Sequence, residues 1–207
     1  MTRTALLLAA VCLGGCSLEP PAGDAQGPAL YETCTPCHGA DGAGMQTYGA
    51  PAIAGLPEWY VRAQLEKFQS GARGAHRDDV QGLRMRGMAR SLNHDGDVEA
   101  VAAFVAAMPA TVPAATLQGD AAHGRELYAT CVQCHGERAT GDEARGAPPL
   151  AGQSDWYLVA QLGSFQRGLR GTSPLDASGA TMRPMTLGLD EAGMRDLAAH
   201  IRTLGGP

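Results

Sequence analysis

The sequence predicts an all-α protein made of two tandem helical domains that arose by internal duplication. Residues recur at a fixed offset of 97, from Gly27/Gly124 and Tyr31/Tyr128 through Cys34/Cys131, Pro51/Pro148, Trp59/Trp156, Gln64/Gln161, Phe68/Phe165, Arg73/Arg170 and Met85/Met182 to Leu92/Leu189. A period that long marks a duplicated domain rather than a solenoid unit. Apolar residues in both halves fall at helical spacing, and no convincing strand pattern is present. The length of 207 residues also suits two domains, at about 100 residues each.

In chain order, "MTRTALLLAAVCLGGC" opens with one positive charge, Arg3, and an apolar run from Ala5 to Leu13. That run is well short of the roughly 20 residues a membrane-spanning helix needs, and it reads as a secretory signal over residues 1–15. Leu13-Gly14-Gly15-Cys16 resembles the bacterial lipobox, which makes Cys16 the expected lipidated first residue of the mature chain. Cleavage further on, near Ala22, is the alternative and gives a soluble periplasmic protein. Residues 16–26 are expected to be a tether, 27–108 the first domain, 109–118 a Pro-containing uncharged linker, and 119–207 the second domain. Within the first domain, a helix is expected over Gly27–Cys37, followed by a glycine-rich loop. A second helix begins near Pro57 and carries Val61, Leu65 and Phe68. An irregular stretch then leads to paired methionines, and a last helix carries Val98, Val101, Ala102 and Val105. The second domain repeats this series with Leu158, Leu162 and Phe165, then Met194, Leu197, Ala198 and Ile201.

Net charge is −5, so no basic excess points to nucleic acid. Lys67 is the only lysine, so a docking ring of lysines is excluded. Aromatic residues are 5% of the chain, few for two cores, and a large apolar cofactor would supply the missing packing.

The chemistry concentrates in "YETCTPCHG" (31–39) and "YATCVQCHG" (128–136). On a helix, residues three and four apart share a face, so Cys34, Cys37 and His38 project together, as do Cys131, Cys134 and His135. Two thiols suit covalent bonds to the vinyl groups of a haem, and the adjacent imidazole suits its iron. Thioredoxin-like redox chemistry would need a βαβ context. A four-thiolate zinc site would split between the duplicated halves. Disulfides suit an exported protein. Zinc and disulfides both leave the two histidines without a role, so two covalently bound haem c groups are the expectation.

A second axial ligand is commonly Met or His. "MRGMARSL" (85–92) and "MRPMTLGL" (182–189) repeat the pattern M-R-x-M, and either methionine of each pair suits iron. His94 is the histidine to examine as a replacement. Arg73, Arg170, Arg86 and Arg183 are candidates to meet haem propionates, as are Tyr60 and Tyr157.

The two Y-x-T-C-x-x-C-H-G motifs, the repeated A-G-x-x-x-W-Y…Q-L-x-x-F-Q-x-G-x-R-G segments and the Met-x-x-Met pairs together resemble the diheme cytochrome c4 family over about residues 25–205. That resemblance implies two cytochrome c-like domains with haem edges facing. It implies Met85 and Met182 as axial iron ligands opposite His38 and His135. It also implies one-electron transfer in a periplasmic respiratory chain, with a quinol-oxidising complex as donor and a terminal oxidase or reductase as acceptor. Membrane attachment would be through the Cys16 lipid alone. A diheme redox enzyme of peroxidase or thiosulfate-oxidising type, or an electron-transfer subunit of a dehydrogenase, is the alternative reading.

Overall fold

The structure, a computed structural model, describes residues 26–205. Cys16, the leader and nearly all of the expected tether lie outside the described residues. Among the described residues ten α-helices follow in order: α1 (Gln26–Tyr31), α2 (Thr35–His38), α3 (Glu58–Ser70), α4 (Val80–Ala89), α5 (Asp97–Ala107), α6 (Ala121–Tyr128), α7 (Val132–His135), α8 (Asp155–Gln166), α9 (Ala177–Met182) and α10 (Glu191–Leu204). No strand occurs among the described residues; two isolated bridges, Met45–Ala50 and Asp142–Ala147, pinch equivalent loops. No described helix is long and apolar enough to cross a membrane.

Each half is the same assembly. α1 packs on α5 and α3 lies against α5 and α4, while α6 and α8 pack on α10. Tyr31, Leu65, Phe68, Val101 and Val105 form the first core, and Tyr128, Leu158, Leu197, Ala198 and Ile201 the second. The helices cross in backbone contact: a Cβ on Gly27 would sit 2.5 Å from the Ala100 carbonyl oxygen, and one on Gly124 would collide with that of Asp196.

Those crossings show where the register of the duplication changes. Gly27 meets Ala100 and Phe104, whereas Gly124 meets Asp196 and His200. The loop before the last helix is therefore one residue shorter in the second half. Asp190 caps α10 through Gly193 N, while Gly96 at a positive φ precedes α5. His200 takes the place of Phe104: Phe104 packs on Tyr31 with centroids 5.3 Å apart, and His200 on Tyr128 at 5.4 Å. His200 is half-buried, and burial followed by the charge of Arg125 pushes its pKa down.

Two local expectations differ from the structure. The helix expected over Gly27–Cys37 is broken after Tyr31. Thr33 Oγ1 donates to Leu30 O and Thr35 Oγ1 to Glu32 O, both at 2.9 Å, so side chains compete with the helical backbone pattern. In the second half Thr130 Oγ1 donates to Leu127 O in the same way. The stretch expected to be irregular up to the methionines gives way to a short helix in each half: α4 carries Met85 and Met88, and α9 ends at Met182. Asp79 accepts from Gly82 N at the start of α4, and Asp176 from Gly179 N at the start of α9. Where Gly87 lets α4 continue, Pro184 cannot supply an α-helical N–H, and α9 passes into a 3-10 turn over Arg183–Thr186.

Candidate functional site

The turn of α2 places Cys34 at its N-cap and Cys37 and His38 within it, with His38 N donating to Cys34 O at 2.9 Å. α7 repeats this with Cys131, Cys134 and His135. All four cysteines are half-buried, and none is joined to another in a disulfide. Burial pushes the Cys34 and Cys131 thiols up. Among the described residues no cluster of three or more His, Cys, Asp or Glu is arranged to hold a metal ion, so the thiols do not converge as a four-thiolate zinc site requires.

His38 and His135 are buried, and each Nδ1 meets a proline carbonyl: Pro51 O at 3.0 Å and Pro148 O at 2.9 Å. A carbonyl only accepts, so Nδ1 carries the proton and Nε2 presents its lone pair. Burial lowers both imidazole pKa values and the proline bond opposes it without cancelling it. Each ring is therefore neutral at pH 7 and ready to ligate through Nε2. The loop that supplies Pro51 passes so close to Gly44 (φ 80°) that a side chain there would strike the Pro51 backbone. Tyr31 Oη and Tyr128 Oη close the turns by donating to Gly39 O and Gly136 O, both at 2.9 Å.

The structure separates the methionines of each pair. Met85 is half-buried and packs on the first core together with Cys34, Leu30 and Ile53, whereas Met88 is 41% exposed. Met182, the last residue of α9, is half-buried, whereas Met185 is 49% exposed. Met194 belongs to the core of α10. His94 lies exposed in the loop before α5.

Arg73 and Arg170 are buried where the two domains meet, each guanidinium about 4.5 Å over a phenylalanine ring, Phe68 and Phe165. Arg73 donates to Gln64 Oε1 (2.8 Å) in its own domain and to Tyr157 Oη (2.8 Å) and Gln161 Oε1 (2.9 Å) in the other. Arg170 reciprocates with Gln161 Oε1 (2.7 Å) and Gln64 Oε1 (3.3 Å). Burial, then repulsion from Arg73, pushes the Arg170 pKa down. Tyr60 and Tyr157 thus face the opposite domain's arginine.

Buried Nε–H donors without an acceptor remain on Arg73, Arg86, Arg170 and Arg183, two per domain at duplicated positions. Buried polar groups are normally paired. Four orphaned cationic donors, two in each domain that carries a Cys-Cys-His turn, fit a haem with two carboxylates in each domain. The cysteine and histidine constellation was legible from spacing. The Pro51 and Pro148 carbonyls and the Gln64/Gln161 pair were visible only as repeated residues, with no signal of their role. Lys67, which bonds Asp176 at 2.7 Å across the domain boundary, was signalled only by being the sole lysine.

Known proteins agree with this arrangement. The cytochrome c family model matches residues 25–109 and again 121–205. A thiosulfate dehydrogenase electron acceptor of Stutzerimonas stutzeri (strain A1501) is 39% identical over 74% of this chain and 72% of its own. Cytochrome c4 of Stutzerimonas stutzeri is 30% identical over 93% and 94%. The solved thiosulfate dehydrogenase (TsdBA) of Marichromatium purpuratum superposes with TM-score 0.70 at 34% identity; the match covers 87% of this chain but only 40% of that one. Reduced cytochrome c4 from Pseudomonas stutzeri gives 0.68 at 26% identity over 88% and 98%. Two cytochrome c domains, each built on a Cys-Cys-His turn, place the chain in the cytochrome c family, as a diheme, cytochrome c4-like electron-transfer protein carrying two covalently bound haem c groups.

Proposed function

We propose that the chain is a one-electron carrier of a periplasmic respiratory chain, with its two haems bound at the duplicated turns. Cys34 and Cys37 form the thioethers in the first domain, and Cys131 and Cys134 those in the second. His38 and Met85 would hold the iron of the first haem, and His135 and Met182 that of the second. The observation that carries this reading is the imidazole geometry: both buried histidines spend Nδ1 on a proline carbonyl, which leaves the Nε2 lone pair free next to two cysteines not joined in a disulfide.

The haem supplies the one-electron iron couple. The chain's own groups do the rest. Pro51 and Pro148 hold the tautomer and ring orientation of the histidines. Met85 and Met182 provide soft thioether sulfur, which favours the reduced state. The apolar cores keep water from the centres, and Arg73, Arg86, Arg170 and Arg183 offer positive charge to the propionates. With a histidine and a methionine both holding the iron, no position would be left for a substrate, which supports transfer rather than catalysis.

By resemblance the donor is a quinol-oxidising complex and the acceptor a terminal oxidase or reductase. The relative named as a thiosulfate dehydrogenase electron acceptor favours a second reading of the donor, a thiosulfate dehydrogenase. The lipobox-like Leu13–Cys16 supports a lipid anchor at Cys16.

The test uses the purified exported protein. Its mass is expected to carry two haem increments, and its oxidised spectrum the weak far-red band of Met ligation. Stopped-flow mixing with thiosulfate dehydrogenase plus thiosulfate, and separately with a quinol-oxidising complex, identifies the donor. A colourless protein, or a high-spin spectrum that changes with peroxide, refutes the carrier reading. Acyl chains on the N-terminal peptide test the anchor.

A further inference from the structure

The centre of the domain interface is nearly two-fold symmetric, with Arg73, Gln64 and Tyr60 opposite Arg170, Gln161 and Tyr157. Beside it the symmetry fails. Lys67, on α3 of the first domain, places Nζ 2.7 Å from Asp176 Oδ1 and donates to Ser178 Oγ at 2.7 Å. Asp176 has no exposure at all, and it is the residue that caps α9 by accepting from Gly179 N. In the opposite direction the equivalent residues are Ser164 and Asp79. Ser164 Oγ only donates back to Ala160 O in its own helix (2.8 Å). Asp79 caps α4 through Gly82 N but has no ion pair across the boundary among the described residues. A second contact is also one-sided: Gln153 Nε2 donates to Ala52 O at 3.0 Å, and Leu56 stands at the equivalent place in the first domain.

A carboxylate taken out of water needs a partner, and removing one member of such a pair leaves an uncompensated buried charge. Asp176 finds its partner only in the other domain. Its Oδ2 has no hydrogen bond, so Lys67 and the α9 backbone are what hold it. Burial alone would raise its pKa; the bond and charge of Lys67, with the Gly179 N–H, hold it below the usual carboxylate range. α9 is six residues long and ends at Met182. A shift at its capped end is therefore transmitted along one and a half turns to that sulfur.

We infer that Lys67 is an interdomain positioning residue: from the first domain it fixes the capped end of α9, and through α9 the Met182 side of the second domain, with no counterpart acting on α4 and Met85. The inference rests on the reading of Met182 as a ligand. It makes the communication between domains directional in structure. Losing the Lys67–Asp176 pair disturbs the second centre directly through α9, whereas the first is reached only indirectly, through the shared Arg–Gln–Tyr network and the separate Gln153–Ala52 contact.

The test uses the holoprotein with Lys67→Met and Lys67→Arg, and with Met85→Ala and Met182→Ala to assign the two redox waves. Lys67→Met is expected to move the wave that Met182→Ala displaces and to leave the other in place, and Lys67→Arg to restore it. A readout independent of haem is available because Lys67 is the only lysine. Its modification by an amine-reactive reagent, followed as the mass of the Lys67 peptide, is expected to be slow in the parent and about tenfold faster in Asp176→Asn. Equal displacement of both waves, displacement of neither, or parent labelling as fast as in Asp176→Asn overturns the inference. A far-red band left at full strength by Met182→Ala sinks the ligand assignment instead, a result read without any Lys67 variant.

Discussion

Asp155 makes the most quantitative prediction. It opens α8 and is 1% exposed, yet it accepts four hydrogen bonds. Oδ2 takes Thr116 N at 2.7 Å and Leu117 N at 2.9 Å, and Oδ1 takes Thr116 Oγ1 and Trp156 N, both at 2.7 Å. The carboxylate thereby ties the linker to the second domain; its counterpart Glu58 is exposed. Asp155→Ala removes all four bonds. Thr116 is exposed, so water replaces its two bonds at little cost. Leu117 N and Trp156 N lose a charged acceptor, worth about 1.5–3 kcal/mol each, and allowing for partial solvation of the vacated site the loss is about 2–5 kcal/mol. Guanidinium unfolding followed by circular dichroism is expected to show an early transition of that size, with proteolytic cutting within residues 109–118 preceding it. The pH dependence has a definite sign. Burial opposes ionisation, but the Leu117 and Thr116 N–H groups, the Thr116 hydroxyl and Trp156 N–H together hold the carboxyl below its ordinary range. The stability it contributes is present above the unfolded carboxylate pKa of about 3.9 and is lost as pH falls through the lower folded value. Asp155→Asn should flatten that acid limb. An Asp155→Ala protein with the parent's unfolding midpoint and an uncut linker would refute the reasoning.

Three further outcomes follow from the geometry. Met85→Ala and Met182→Ala are each expected to remove about half of the far-red band and to lower one haem potential by roughly 0.1–0.3 V, part of the roughly 0.8 V span set by axial ligands; spectroelectrochemistry reads both. Tyr31 and Tyr128 are pushed from 10 up to about 12, burial being the main cause, so their contribution is full below pH 10 and is lost as pH rises through about 12. Tyr31→Phe with Tyr128→Phe should remove that alkaline limb from a melting-temperature profile and cost about 1 kcal/mol per site at neutral pH. Gly74 has φ 72° and lies against the Gly82 carbonyl; Gly74→Ala is expected to lower first-domain stability by about 2 kcal/mol or more, from left-handed strain plus displacement of α4, measured by chemical unfolding.

The helical class, the duplication up to Leu92/Leu189 and the Cys-Cys-His turns were readable because each is a matter of short spacing along the chain. The break after Tyr31 was not, because threonine side chains there take the carbonyls that a continuous helix would use. α4, "VQGLRMRGMA", gave no helical signal either: it has two glycines and no apolar stripe, and the Asp79 cap together with packing against α3 stabilises it. The one-residue change of register is carried by Val98/Met194 and Val105/Ile201, which pair at 96 rather than 97, and the packing of Gly27 on Phe104 and of Gly124 on His200 shows the same shift in three dimensions.

From sequence alone came which atoms can bond to a porphyrin, since two thiols and an imidazole three and four residues apart share a face in any helix. Only the folded chain decided which methionine turns inward, which carbonyl sets each histidine's tautomer, and that Arg73 reaches Tyr157 and Lys67 reaches Asp176. Those partners lie far apart along the chain, and they meet only when two independently packed surfaces dock, a geometry that no local repeat encodes.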